Sequence, residues 1–362
     1  MFPRQFPSSL TREWRVSLDG EKLLAPVAVA GGIVVASHDG FVQFLTDDGE
    51  TQWRYSDFSP FLGLPAVTRD AVVVPSLEGK IVGLEIDSGD TLWEVNRAGI
   101  QSGFTLSDGT MYFHDMATQV GALDPSDGSL RWTTEVDGQA VTPPAADSTR
   151  LVTASLIGDV TCLDRTNGAV QWVNHTNRQV LSPPSIAKGA VFVCGNRDER
   201  GRIAAYELDT GARLWETIVP GQIVGSPAIE EESELLYFAS LNGDVAAFDT
   251  ATGNVQMQNR VGRNLKSPVV FEKVIVVAGD QQLFVLSKQD GSVLDSPRIG
   301  GQAIDTAYRN GRLFVSTAAG DVLSFRGRSS NSLSMPGVGL LSGIAGLAGF
   351  AGYARKHATE RN

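Results

Sequence analysis

Residues 210–215 read TGARLW, a threonine–glycine turn followed four residues later by tryptophan. The same spacing joins Gly49 to Trp53, Gly89 to Trp93, Gly128 to Trp132, Gly168 to Trp172 and Gly211 to Trp215. With Trp14 these are all six tryptophans of the chain, at intervals of 39, 40, 39, 40 and 43 residues. The series continues beyond the last Trp, with Gly253 before Met257 and Gly291 before Asp295. A fixed period near 40 means one supersecondary unit used many times.

Other positions repeat with it. Residues 27–40 read VAVAGGIVVASHDG, residues 66–79 AVTRDAVVVPSLEG and residues 228–243 AIEEESELLYFASLNG. Each holds a short apolar run, a polar turn, a second β-branched run and a small-polar-glycine corner. A short alternating stretch follows, then a turn and the Trp segment. The pattern predicts four short strands per unit and carries no helical periodicity. The glycine before each Trp suits a reversal that needs positive φ. Asp124, Asp164 and Asp249, four residues before their glycines, are placed to hydrogen-bond the turn backbone.

Counting corners sets the number of units. Gly40, Gly79, Thr118, Gly158, Gly201, Gly243, Asp280 and Gly320 open eight third strands. The Trp-type strands also number eight, counting Met257 and Asp295. The phase is shifted, because the chain begins on a Trp strand and ends on a third strand, residues 322–325. The expected fold is therefore all-β: an eight-bladed propeller of four-stranded antiparallel blades, closed by the N-terminal strand. Closure removes long free sheet edges. The propeller spans residues 1–327 as one domain.

Ser226-Pro227-Ala228, Ser240-Leu241-Asn242-Gly243, Ala247-Phe248-Asp249 and residues 210–215 together resemble the PQQ-like β-propeller repeat. The resemblance covers about residues 10–327. In size and organisation the chain is similar to the eight-bladed BamB-like lipoproteins, which help assemble bacterial outer-membrane β-barrels. The same repeat builds the quinoprotein alcohol dehydrogenases, so the fold does not carry the function. The resemblance implies that Trp14, Trp53, Trp93, Trp132, Trp172 and Trp215 pack between neighbouring blades. Met257 and Asp295 are then degenerate copies, with looser joints expected after blades six and seven.

The net charge of −11 argues against nucleic acid as a partner. Basic residues are mostly arginine, and an acidic, lysine-poor surface of this kind fits a high-salt setting among others. Cys162 and Cys194 sit in apolar runs and read as small buried hydrophobes; a disulfide would need geometry that spacing does not reveal. His38, His114, His175 and His357 show no metal-ligand spacing, so no metal and no cofactor are expected.

The N-terminal residues carry no apolar run of signal-peptide length and no lipobox cysteine, which departs from the lipoproteins. At the other end, residues 328–336 read as a polar linker. Residues 337–354, GVGLLSGIAGLAGFAGYA, are uncharged over 18 positions and precede a basic tail, residues 355–362. As a helix they would span about 27 Å, near the thickness of a hydrocarbon core. The expectation is a membrane anchor with a self-packing glycine face, the sidedness open. A flexible glycine-rich tail or a helix docked on protein is the other reading. The Pro336-Gly337 start, apolar run and basic end are also loosely similar to archaeal C-terminal sorting signals, with Val338 where a Phe is typical.

One recurrent polar position stands out. Gln139, Gln179 and Gln222 lie five residues before Pro144, Pro184 and Pro227. The same offset gives Arg263 before Pro268 and Gln302 before Ala307. Five consecutive blades thus carry a long polar side chain near the channel mouth, either as an arc that binds a polar segment or anion, or as side chains bonding the neighbouring blade's backbone. Three functions compete: a non-catalytic scaffold presenting loops to protein partners, a module binding a small ligand or polymer, and a quinone-dependent dehydrogenase. The resemblance implies that dehydrogenases of this family carry adjacent cysteines; here the two are 32 residues apart. No catalytic residues are assigned, and the scaffold is the expected function.

Overall fold

In this computed structural model residues 6–327 are described, apart from 19–21, 58, 98 and 101. The expected linker, anchor and basic tail lie outside the described residues. Eight antiparallel sheets follow one another around a ring. Blade one shows the unit: Val27–Val29 innermost, then Gly32–Ala36, Phe41–Thr46 and, outermost, Thr51–Ser56.

The core is divided into eight layers. Each hydrophobic cluster joins residues of two neighbouring blades, from Val34 and Val72 between blades one and two to Ile33 and Phe314 between blades eight and one. The second and third strands of a blade face such a layer on both sides. Phe41–Thr46 is accordingly buried through five of its six residues, Gln43 among them. The outermost strands alternate in burial, because one of their faces meets solvent.

Each Trp, and Met257 in its place, crosses a joint and lies on the turn glycine of the next blade. A β-carbon on Gly89 would stand 2.6 Å from the Trp53 ring, and Gly89 has φ +76°. Only glycine meets both requirements. The Trp53 indole Nε1 then donates to Ile86 O at 2.8 Å. Trp14, Trp132, Trp172 and Trp215 make the matching bonds to Asp47, Arg165, Leu208 and Thr250 carbonyls. Trp93 lies on Gly128, but its Nε1 is buried without a partner. Asp124 braces its turn by accepting from Ser126 N at 2.9 Å, and hydrogen bonds from Ser126 and Arg131 hold its carboxyl down to about 2.

The ring closes where the shifted phase requires. Leu10–Ser17 pairs antiparallel with Asp321–Gly327 and completes the sheet begun by Ala303–Arg309 and Arg312–Thr317. Arg15 reaches Asp321 at 2.5 Å and Arg312 reaches Glu13 at 2.8 Å, tying chain start to chain end. This closure also explains Asp295. Blade eight has no continuous turn between its third and fourth strands, since those strands come from opposite ends of the chain. A Trp at 295 would have no turn glycine to cover. The Asp295 carboxylate instead accepts from Leu10 N, at the first residue of the closing strand, at 2.7 Å. The apolar filling of that joint comes from Phe6, stacked on Phe271 at 4.1 Å with Tyr308 edge-on at 5.5 Å. At the joint before it, Met257 takes the Trp place, its thioether against Gly291.

Two expectations are corrected in blade five. Gly201 does not form a corner. It lies inside the strand Arg200–Glu207, and the reversal is made by Asp198 and Glu199, both at positive φ. The second strand, Ala190–Arg197, and the third extend into a longer hairpin there. The innermost strand is split into Gln179–Val180 and Ser185–Ala187, both paired to Ala190–Arg197. Pro183 and Pro184, which lack donors, occupy the gap.

Candidate functional site: the axial channel

The innermost strands enclose an axial cavity of about 200 Å³, lined from all eight blades. On one face its mouth is built from the loops that enter each blade. These loops are pinned by the corners between second and third strands: Leu77 N donates to Pro60 O, Leu156 N to Gln139 O, Leu241 N to Gln222 O and Ala318 N to Gln302 O, at 2.7–2.9 Å. The backbone of the polar row is therefore fixed even where its side chains are free.

Gln139, Gln179, Arg263 and Gln302 are exposed and Gln222 is half-buried. The Gln139 side chain donates to Met116 O of the preceding blade at 2.8 Å, a bond that fastens blade to blade. Among the described residues, the side chains of Gln179, Gln222, Arg263 and Gln302 make no hydrogen bond to protein. Gln179 differs in setting, because it pairs with Asn196 in the split strand.

Two residues further along each loop the wall turns apolar. Leu62, Val141, Leu181 and Val224, each three residues before a proline, form a collar lining the cavity. Beyond it stands Asp305, the one ionisable side chain among the described residues of the lining. It lies on Ala303–Arg309 at a register irregularity between Ala303 and Asp305. Such an irregularity re-aims side chains and here turns the carboxylate to the channel. Asp305 Oδ1 accepts from Thr306 N at 2.8 Å and Oδ2 from Ser267 Oγ at 3.0 Å; Ser267 Oγ in turn accepts from Ser226 N at 3.1 Å. Burial pushes the Asp305 carboxyl up to about 6, against the pull of these hydrogen bonds and of Lys266. Thr142 and Thr306 also line the cavity, each more than nine-tenths buried, with hydroxyls lacking a protein partner.

Asp305 was not legible in the sequence as a site. The available signal was a departure: the innermost strands of blades six and seven read Ser-Pro at 226–227 and 267–268, whereas blade eight reads Asp-Thr-Ala. The other titratable candidates lie elsewhere. His114 is buried in the joint between blades three and four, bonded to Thr153 Oγ1 at 2.6 Å and Gly138 O at 3.0 Å, and burial lowers its pKa to about 4. Cys162 and Cys194 are free thiols in two different joints, each pushed up to about 12 by burial. Among the described residues no group of three or more His, Cys, Asp or Glu could hold a metal ion, and no helix is long and apolar enough to cross a membrane.

Comparison with known proteins agrees with this architecture. The outer membrane protein assembly factor BamB of Burkholderia pseudomallei is 24% identical over 87% of this chain and 76% of its own length. The crystal structure of BamB from Moraxella catarrhalis superposes with a TM-score of 0.75 at 20% identity, over 90% of this chain and 99% of that one. The quinohemoprotein alcohol dehydrogenase ADHIIG of Pseudomonas putida HK5 shares the fold as well, with a TM-score of 0.74 at 12% identity, over 93% of this chain and 80% of that one. The family described as outer membrane protein assembly factor BamB matches residues 11–139, 78–296 and 242–333, nearly the whole propeller, and the chain belongs to it.

Proposed function

We propose that this chain is a non-catalytic scaffold that holds protein partners at a membrane during assembly of envelope or membrane proteins. The observation that carries the reading is family membership across residues 11–333, in a family named for an assembly factor. The ring supports it physically. Its loops are short and held by backbone hydrogen bonds, so it presents a preorganised surface, which lowers the ordering cost of binding a partner. The free side chains of Gln179, Gln222, Arg263 and Gln302 add an arc of donors suited to carbonyls or carboxylates of a partner segment. Residues 337–354 would tether the propeller. Cys162 and Cys194 occupy separate joints, which speaks against the dehydrogenase reading.

Site-specific photo-crosslinkers at positions 179, 263 and 302 of the full chain, in its own cells, test the scaffold. Discrete adducts with a membrane or envelope protein are expected, and they should be absent for a crosslinker at Gly109, on an open turn elsewhere. Adducts equal at both places, or none at the arc, would overturn the reading. Full-length protein should pellet with membranes while a chain ending at residue 330 stays in the supernatant; equal partitioning would remove the tether.

A further inference from the structure

We propose that the axial channel is a binding site for a primary alkylammonium group, with Asp305 as its counter-charge and the Leu62, Val141, Leu181 and Val224 collar around its apolar stem. The inference stands apart from the scaffold reading, since it concerns the channel interior and not the loops of the face.

The argument begins with a mismatch. Asp305 is half-buried in the channel wall, and among the described residues it forms no ion pair. A carboxylate drawn partly out of water is costly unless its lost hydration is replaced. Ser267 and the Thr306 amide supply only two donors to a group with about four acceptor sites. Next to it, Thr306 Oγ1 is buried without a partner, and Thr142 Oγ1 is in the same condition on the opposite wall. Two hydroxyls in the cavity wall thus lack a protein partner, and Asp305 beside them keeps acceptor capacity to spare.

The donor set selects the ligand class. An ammonium has three donors and no acceptor, and Asp305 with Thr306 offers acceptors for it. Calcium asks for six to eight oxygens, which one carboxylate and two separated hydroxyls do not provide. An anion is excluded by the carboxylate. The collar excludes a strongly hydrated ion but suits a short methylene chain, and a cavity of about 200 Å³ accommodates one. Thr142, across the channel, would serve a polar group at the far end of a longer amine. Two sources share this chemistry: a free amine, or a lysine side chain of a partner inserted through the mouth. Lys266 is the charged group acting on Asp305 from the neighbouring blade, and it does not reach ion-pair distance.

Calorimetric titration of the full chain with n-butylamine, n-butanol and Nα-acetyl-lysine N-methylamide tests the proposal. At pH 8, butylamine should bind at one saturable site and butanol at least tenfold more weakly. Asp305→Asn should weaken butylamine at least tenfold while keeping the circular dichroism spectrum. In the wild type, binding should weaken as pH falls from 8 through 6, where the carboxylate takes up its proton; this readout needs no variant. Binding of the lysine derivative would identify a partner's lysine as the source, and binding of butylamine alone would identify a free amine. Equal binding of butylamine and butanol, binding unaffected by both pH and Asp305→Asn, or no binding at all would overturn the proposal.

Discussion

Phe6→Ala probes the closure of the ring at its least repetitive point. Phe6 is 6% exposed and stacks on Phe271 with rings 4.1 Å apart and 10° from parallel. It precedes the closing strand and fills the one joint whose Trp position is an aspartate. Truncating a buried Phe typically costs about 3–5 kcal/mol. The lower end applies here, because a segment near the terminus can relax into the space. At roughly 2.1 cal/mol/K per residue over about 320 residues, 1 kcal/mol corresponds to about 1.5 °C, so 3 kcal/mol should lower the Tm by roughly 4–5 °C. Urea midpoints should fall with unchanged slope, which tests whether unfolding stays cooperative. A double-mutant cycle with Phe271→Ala should return a coupling of about 0.5–1.5 kcal/mol for the stacked pair. If Phe6→Ala leaves both Tm and midpoint in place, the N-terminal segment is not holding blade seven to blade eight. Asp295 would then close that joint by its hydrogen bond to Leu10 alone.

Gly89→Ala should cost about 2–3 kcal/mol, since its β-carbon meets the Trp53 ring and its φ is +76°. Gly109→Ala, at φ +68° with nothing near its β-carbon, should cost only about 1 kcal/mol in the same chemical-denaturation assay; equal costs would remove the Trp contact from the account. His114 has its folded pKa lowered to about 4, so the unfolded chain binds the extra proton first as pH falls. Its contribution, about 3 kcal/mol, is therefore complete above about pH 6.5 and is lost between 6.5 and 4. His114→Gln should flatten the stability–pH curve relative to wild type in that window, and parallel curves would refute this. Replacing Gln179, Arg263 and Gln302 together with Ala should leave the Tm within about 1–2 °C, because their side chains bond no protein group, whereas Gln139→Ala should lose up to roughly 0.5–1.5 kcal/mol with its bond to Met116.

Repetition is why the fold could be read and why the site could not. Any feature shared by every blade is amplified by the number of copies, and the Trp–Gly contact is such a feature. It therefore yielded the blade number, the closing strand and the residues that bridge the joints. The misreadings fall where one blade departs from the rest. Gly201 reads as a corner by spacing, yet blade five carries Arg-Asp-Glu-Arg where other blades have a tight corner, and hairpin length is not encoded in the period. Phe6 has no counterpart in any repeat, so its burial is invisible until the ring is closed around it. Asp295 reads as a decayed Trp, yet it marks the one place where the turn to be covered is missing.

The same reasoning separates scaffold from site. A position used identically in all eight blades produces a symmetric surface, and symmetry leaves no direction for a ligand to recognise. The polar row of blades four to eight already breaks it, with one arginine among glutamines. Asp305 breaks it further: one carboxylate in a channel whose other lining residues are neutral, on a strand whose register slips to aim it inward. A neutral Asn there would keep the hydrogen bond from Ser267 without the desolvation cost of a charge. Asp305→Asn should therefore match or exceed the wild-type Tm above pH 7, measured by scanning calorimetry without amine. A lower Tm would show that the carboxylate is structural, and the channel would lose its strongest sign of a binding role.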